Sequence, residues 1–263
     1  MATGDLVRSS DGELSLKVGV WAEEKIDYIQ RYCEIFNTGM KYHWRTRAYI
    51  DLFAGPGKCY IEEMNREIDG SPIVALRCKE PFTHYFFNDA DPQVISSLKK
   101  RVESFNRSNV FYFTQDCNTV IDQLRNKLPS ASLDFCFVDP FSFEVKFDSI
   151  RRLTEGRRMD LAITFHVGSM KRIAHNPPKE LLEFFPDASW LKMYEEERFH
   201  KKGHILLSAF EKGLEKIGYQ DVRDYVLVRN QKGVPLYHII FATKNPGGRI
   251  FGIKLQAARE QGN

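Results

Sequence analysis

Asp51-Leu52-Phe53-Ala54-Gly55-Pro56-Gly57 closes an apolar run, Ala48-Tyr49-Ile50, and its reading decides how the rest of the chain is understood. The run has strand character, and Gly55 and Gly57 end it. Glycines two apart let the backbone turn sharply and approach a ligand with no Cβ in the way. A dinucleotide fingerprint would read G-x-G-x-x-G. Here Tyr60 stands at the third glycine position, and Pro56 removes an amide donor that a pyrophosphate would want. The plainer alternative is an ordinary strand followed by a turn.

Working outward from that turn, strands and helices alternate. Strands are expected at 48–53, 84–88, 110–114, 133–138 and 160–165, and helices at 72–79, 92–104, 118–127 and 147–155. Ser71 can cap the first of these helices, with Pro72 in its first turn. Upstream, Ala22, Ile26, Ile29, Cys33 and Phe36 recur at spacings of three and four, which predicts a helix from Trp21 that Asn37 and Gly39 stop. Residues 1–19 read as a flexible leader, because turn formers dominate and no period holds. Residues 167–203 break the rhythm and read as an inserted, mostly helical cap, followed by a helix over 205–217. Strands at 225–229 and 236–243 flank a tight turn and should form a hairpin, with a last helix over 249–260. The expected fold is α/β: a doubly wound, mainly parallel, seven-stranded, Rossmann-like sheet with its last strand antiparallel and a helical insertion. Residues 20–263 would make up that one domain.

Ligands of such sheets sit beyond the carboxyl ends of the strands, at the switch point. The residues just after each strand are therefore the candidates. A turn short of amide donors suits a nucleoside ligand without a pyrophosphate, and S-adenosylmethionine is one. Asp51, Phe53, Gly55, Gly57 and Ser71 would form its cradle, with amides at the helix start facing its carboxylate. Asp89, in Asn88-Asp89-Ala90-Asp91-Pro92, is placed to accept from both ribose hydroxyls, while Asp91 caps the helix that begins at Pro92. Asp116 can accept from the adenine amino group, or else cap the helix at Asn118. Asp139-Pro140-Phe141 follows the fourth strand. A carboxylate and a carbonyl that bind the hydrogens of an exocyclic amine free its lone pair, and an aromatic beside them can stack on a flipped base. Enzymes that methylate such amines carry D/N-P-P-Y/F here, so Phe141 makes the match partial. His166 after the fifth strand is a weaker general-base candidate, and Trp44 is either a stacking platform or a core anchor.

Composition narrows the class. The chain has 263 residues, of which 43% are hydrophobic, enough for one sizeable core. A net charge of +3 decides little about partners, and basic clusters such as 41–47 and 99–101 most simply face water. Five cysteines, none at CxxC spacing, disfavour a zinc site or a disulfide framework and suit a reducing cytoplasm. No metal site is expected. Neither a signal segment nor a bilayer-length apolar run is present, so no membrane partner is expected either.

The sequence resembles the three-Cys-motif partner protein family, TcmP. The segments that carry the likeness are Val18-Gly19-Val20-Trp21-Ala22 with Lys25, Tyr49 to Gly57, Gly70-Ser71-Pro72, Asp139-Pro140-Phe141, Met159-Asp160-Leu161, and 236–250 with Asn245-Pro246-Gly247. The likeness runs from about residue 18 onward. It implies a class I methyltransferase-like fold and gene company with a protein bearing a three-cysteine motif. The family usually has glycine after Asp-Pro-Phe, where this chain has Ser142, and an acidic residue where it has Asn88.

The leading expectation is thus an S-adenosylmethionine-dependent methyltransferase acting on an amine, a nucleic-acid base first. The alternative is a catalytically silent binding module that partners a three-Cys-motif protein. A nicotinamide-dependent oxidoreductase is a third reading, opposed by the missing glycine and the final hairpin.

Overall fold

The computed structural model describes residues 5–229 and 233–244. In chain order the elements are β1 (Leu6–Arg8), β2 (Leu14–Val18), α1 (Trp21–Met40), β3 (Arg47–Asp51), β4 (Lys58–Ile61), β5 (Arg66–Asp69), α2 (Ser71–Leu76) and β6 (His84–Asn88). Next come α3 (Pro92–Glu103), β7 (Val110–Phe113), α4 (Ile121–Lys127), β8 (Leu133–Val138), α5 (Phe147–Thr154) and β9 (Arg158–Phe165). The described chain ends with α6 (Val167–Ile173), α7 (Lys179–Phe184), α8 (Trp190–Glu196), α9 (Lys202–Lys216), β10 (Asp221–Arg229) and β11 (Pro235–Thr243). The helix expected over 249–260 and the Asn245-Pro246-Gly247 tail lie outside the described residues.

The main sheet has seven strands in the order β10-β11-β9-β8-β3-β6-β7. β3 pairs in parallel with β6 and β8, and β8 with β9. β11 is antiparallel to both β9 and β10, so it alone runs against the others. The expected doubly wound sheet with a reversed last strand is what forms. From β3 the chain winds outward through β6 and β7, then returns to β8 on the other side. The switch point therefore lies between β3 and β8.

The apolar run in β8 follows from burial on both faces. Leu133, Phe135 and Phe137 point into one core with α1, α2 and α3. Cys136 and Val138 point into the other, which α4, α5, α6, α7, α8 and α9 cover. A strand covered on both sides has no face to give to polar residues. The 167–203 stretch contributes Val167, Met170, Leu181, Phe184, Phe185 and Trp190 to that second core. Its helices are packed into the domain.

Two segments differ from expectation. The stretch read as a flexible leader holds β1 and β2, a hairpin whose turn is closed by Ser9 N–H to Glu13 O at 2.8 Å, with Gly12 at φ +82°. β2 pairs in parallel with β4, and β4 with β5, making a four-stranded side sheet. Strands of three to five residues are too short to leave a period, and β4–β5 was hidden inside what reads as a loop. α1 also runs past Asn37 and Gly39 to Met40. Asn37 is tolerated because its buried amide is satisfied: Nδ2 donates to Cys33 O at 3.1 Å and Oδ1 accepts from Arg47 Nε at 2.9 Å.

Candidate functional site

The turn after β3 is built by two glycines with different duties. Gly55 has φ +61°, and a Cβ there would meet nothing within 4 Å. Gly57 has φ +89°, and its Cβ would stand 2.8 Å from Leu98 Cδ1 and 3.2 Å from Ile73 Cγ1. Gly55 leaves room beside its own Cα, whereas Gly57 lets α2 and α3 close against the turn. The chain then leaves as the β4–β5 hairpin and returns at Gly70, whose N–H donates to Gly57 O at 2.8 Å.

Beneath the turn lies Asp51, fully buried. Its Oδ1 accepts from the Phe53 N–H at 3.2 Å and its Oδ2 from the Tyr49 hydroxyl at 3.1 Å. Burial pushes its pKa up to about 7, against the pull of the Ser71 hydroxyl, the Phe53 amide and Tyr49. Asp51 therefore braces the turn from below. Phe53 is half-buried against the core. Ser71 is not the cap of α2; Gly70 occupies that position, and Ser71 is the first helical residue. A helix of this length starts one residue earlier than expected because Gly70 is already extended, at φ −83° and ψ 173°.

Asp89 comes directly to the turn. Its Oδ2 accepts from the Gly55 N–H at 3.1 Å and its Oδ1 from the Asp91 N–H at 3.0 Å. Burial raises its pKa, with those two amides opposing. Asp91 caps α3 through Gln93 N–H at 2.8 Å. Its neighbour Asn88 is buried, donating from Nδ2 to Leu52 O and Gln115 O, both at 3.1 Å, and accepting from Gln115 N–H. It ties the ends of β3, β6 and β7 together. Asp116 accepts from the Asn118 N–H at 2.9 Å in the turn between β7 and α4 and stays partly exposed; α4 starts at Ile121, later than expected, so Asp116 does not cap it.

Asp139, one strand over, is not alone. Lys25 of α1 places Nζ 2.5 Å from Asp139 Oδ2. The two side chains are only 17% and 20% exposed. The ammonium also sits 5.4 Å from the centre of the Tyr237 ring. Burial works against the Lys25 charge, but Asp139 and Tyr237 hold its pKa above the ordinary value. Pro140 O lies 2.8 Å from His166 Nε2. Burial lowers the His166 pKa, so the neutral ring donates that hydrogen bond. Phe141 is exposed at 47%. Nearby Cys59 has its thiol pushed up to about 12 by burial.

The structure thus gathers Gly55, Asp89 and Asp139 at the carboxyl ends of adjacent strands. Lys25 was missed because its partner lies 114 residues away and no local spacing marks the pair. Trp44 proves an anchor: it packs on the core with Arg158 stacked 5.3 Å over its ring, near the amino ends of the strands. A separate hollow of about 370 Å³, lined by Asp11, Lys58, Asp69, Arg77 and Arg101, opens between the side sheet and α2–α3. Its charges are paired among themselves. Among the described residues no group of three or more His, Cys, Asp or Glu side chains is placed to hold a metal ion. No described helix is long and apolar enough to cross a membrane.

The reversed strand β11 beside β9 completes the seven-stranded sheet. This is a Rossmann-like, mainly parallel α/β fold. A Legionella pneumophila protein of family DUF519 is similar at TM-score 0.52 and 12% identity, over 88% of this chain and 89% of that one. The N-methyltransferase NodS of Bradyrhizobium japonicum, solved with S-adenosyl-L-homocysteine, is similar at TM-score 0.44 and 12% identity, over 86% and 89% of the two chains. M. jannaschii TYW2, solved with AdoMet, is similar at TM-score 0.45 and 14% identity, over 91% and 85%. No family model matches the sequence. No curated protein matches it either.

Proposed function

We propose that this chain binds S-adenosylmethionine across the ends of β3, β6, β7 and β8 and transfers its methyl group to an amine, a nucleic-acid base being the first acceptor to test. The observation that carries the reading is the Gly55–Asp89 contact beside open space. The Asp89 carboxylate accepts from the Gly55 and Asp91 amides and is held by the Ala90 amide as well. A ribose hydroxyl would bind to the acceptor capacity that remains on this partly exposed carboxylate. Asp51, Phe53, Gly57 and Ser71 shape the cradle from below, and Asp116 meets the adenine edge. The cofactor supplies a methyl group on a sulfonium. The chain's part is alignment and exclusion of water. Asp139 Oδ1 and Pro140 O hold the acceptor's hydrogens, and the exposed Phe141 ring stacks on the base.

Calorimetry with S-adenosylhomocysteine is the direct test, followed by transfer of labelled methyl to single-stranded RNA, DNA and mixed protein. Saturable binding that Asp89→Ala weakens supports the reading. No binding to the native chain at millimolar ligand sinks it.

A second reading is a silent module that binds the cofactor and partners a three-Cys-motif protein. One observation favours it: Lys25 already engages Asp139, and His166 already engages Pro140 O. The finer likeness to the TcmP family rests on the quoted sequence segments. Cofactor binding with no transfer to any acceptor, together with a stable complex with a three-cysteine partner, would favour this reading over the first.

A further inference from the structure

Lys25 changes what kind of nitrogen the acceptor edge can take. Its ammonium and the Asp139 carboxylate form a neutral couple, mostly buried by the Tyr237 ring and the residues around it. The couple leaves one Asp139 oxygen outside the 2.5 Å contact. An incoming nitrogen bonded to that oxygen at ordinary length would share one carboxylate with Lys25 Nζ and lie only a few ångströms from it. An alkylammonium there would set two full positive charges side by side in a poorly solvated spot. A nitrogen conjugated to a ring carries no charge at neutral pH and meets no such repulsion. His166 adds no opposing charge, because its ring is neutral and its Nε2–H is spent on Pro140 O. The next acceptor at the edge, the Pro140 carbonyl, is likewise uncharged.

We infer that Lys25 is a specificity-determining residue that restricts the acceptor to neutral, conjugated amines such as the exocyclic amine of a nucleobase, and excludes alkylammonium groups such as lysine side chains and polyamines. The inference rests on the proposed use of Asp139 as an acceptor, and it can be tested without turnover.

Removing the Lys25 charge should leave Asp139 in need of a cation. Lys25→Gln keeps a hydrogen-bond donor beside Asp139, and Lys25→Met keeps only the stem. Spermidine binding by calorimetry is the probe, with circular dichroism to verify folding. Lys25→Gln should bind spermidine at least tenfold more tightly than the native chain, and Lys25→Gln with Asp139→Asn should return to the native value. Lys25→Met should behave as Lys25→Gln; if one of the two does not fold, the other decides. A folded Lys25→Gln chain with unchanged spermidine affinity overturns the inference, as does a gain that survives Asp139→Asn. S-adenosylhomocysteine binding to the native chain is measured alongside. Its absence would defeat the cofactor reading while leaving the cation result to stand or fall by itself.

Discussion

Gly57 packs its bare Cα against Leu98, so closely that a Cβ would come within 2.8 Å of the Leu98 Cδ1 atom. That contact presses the turn after β3 onto α3. It gives the two glycines of one motif separable roles, and the difference is measurable. Gly57→Ala combines a left-handed φ with a clash and should cost about 2–4 kcal/mol. Gly55→Ala has only the φ to accommodate and should cost about 1 kcal/mol. Thermal denaturation should rank them in that order, while Gly55→Ala should weaken S-adenosylhomocysteine binding more than its small loss of stability suggests. Equal losses of stability would contradict the assignment.

Asp89 holds the turn through the Gly55 amide and its own loop through the Asp91 amide. Asp89→Ala should lower cofactor affinity by roughly tenfold or more while changing stability by about 1–2 kcal/mol. Titration calorimetry beside a urea melt reads both quantities. Unchanged affinity would remove Asp89 from the site.

Asn88 stands where the resembled family usually has an acidic residue. Its Nδ2 faces two carbonyl oxygens, Leu52 O and Gln115 O. Asn88→Asp replaces a donor with an acceptor at the same spot. It should destabilise by about 2–4 kcal/mol, leaving two buried carbonyls facing a carboxylate that keeps only the Gln115 N–H as donor. Chemical denaturation is the measurement, and an Asn88→Asp chain as stable as the native one would refute the tie.

Asp51 gives the fold a pH dependence of defined sign. Its pKa is about 7 folded, against 3.8 as the ordinary value. Between those values the folded state keeps a proton that the unfolded state releases, so stability falls as pH rises. The contribution is full below pH 4 and gone above about 7, on the order of a few kcal/mol. Asp51→Asn should flatten the stability profile over that window and stabilise the chain at pH 8 relative to the native protein. Melting curves at pH 5 and pH 8 check it.

Arg101 joins the amino-terminal hairpin to the glycine turn. Its Nε and Nη2 each donate to Asp11 at 2.8 Å, and its Nη1 donates to Leu14 O and to Pro56 O. The guanidinium side chain is 7% exposed. Arg101→Met should free residues 5–18 for limited proteolysis and loosen the turn. A chain equally resistant to protease would show that the side sheet holds without this link.

The sequence by itself determined the sheet. A run such as Leu133–Val138 is apolar at every position only if both faces are covered, and the regular return of such runs with helices between them leaves few topologies. It also marked the glycine turn and the acidic residues at strand ends, because those signals are local. Tertiary structure alone decided how they are used. It put Gly57 against α3 and left Gly55 open, set Asp51 beneath the turn, and spent Asn88 on tying strands. It brought Lys25 onto Asp139 across 114 residues. Periodicity encodes which face of an element is buried, and that depends on neighbours in sequence. Which charge meets which depends on how helices and strands far apart in the chain are stacked, and no local pattern carries that information.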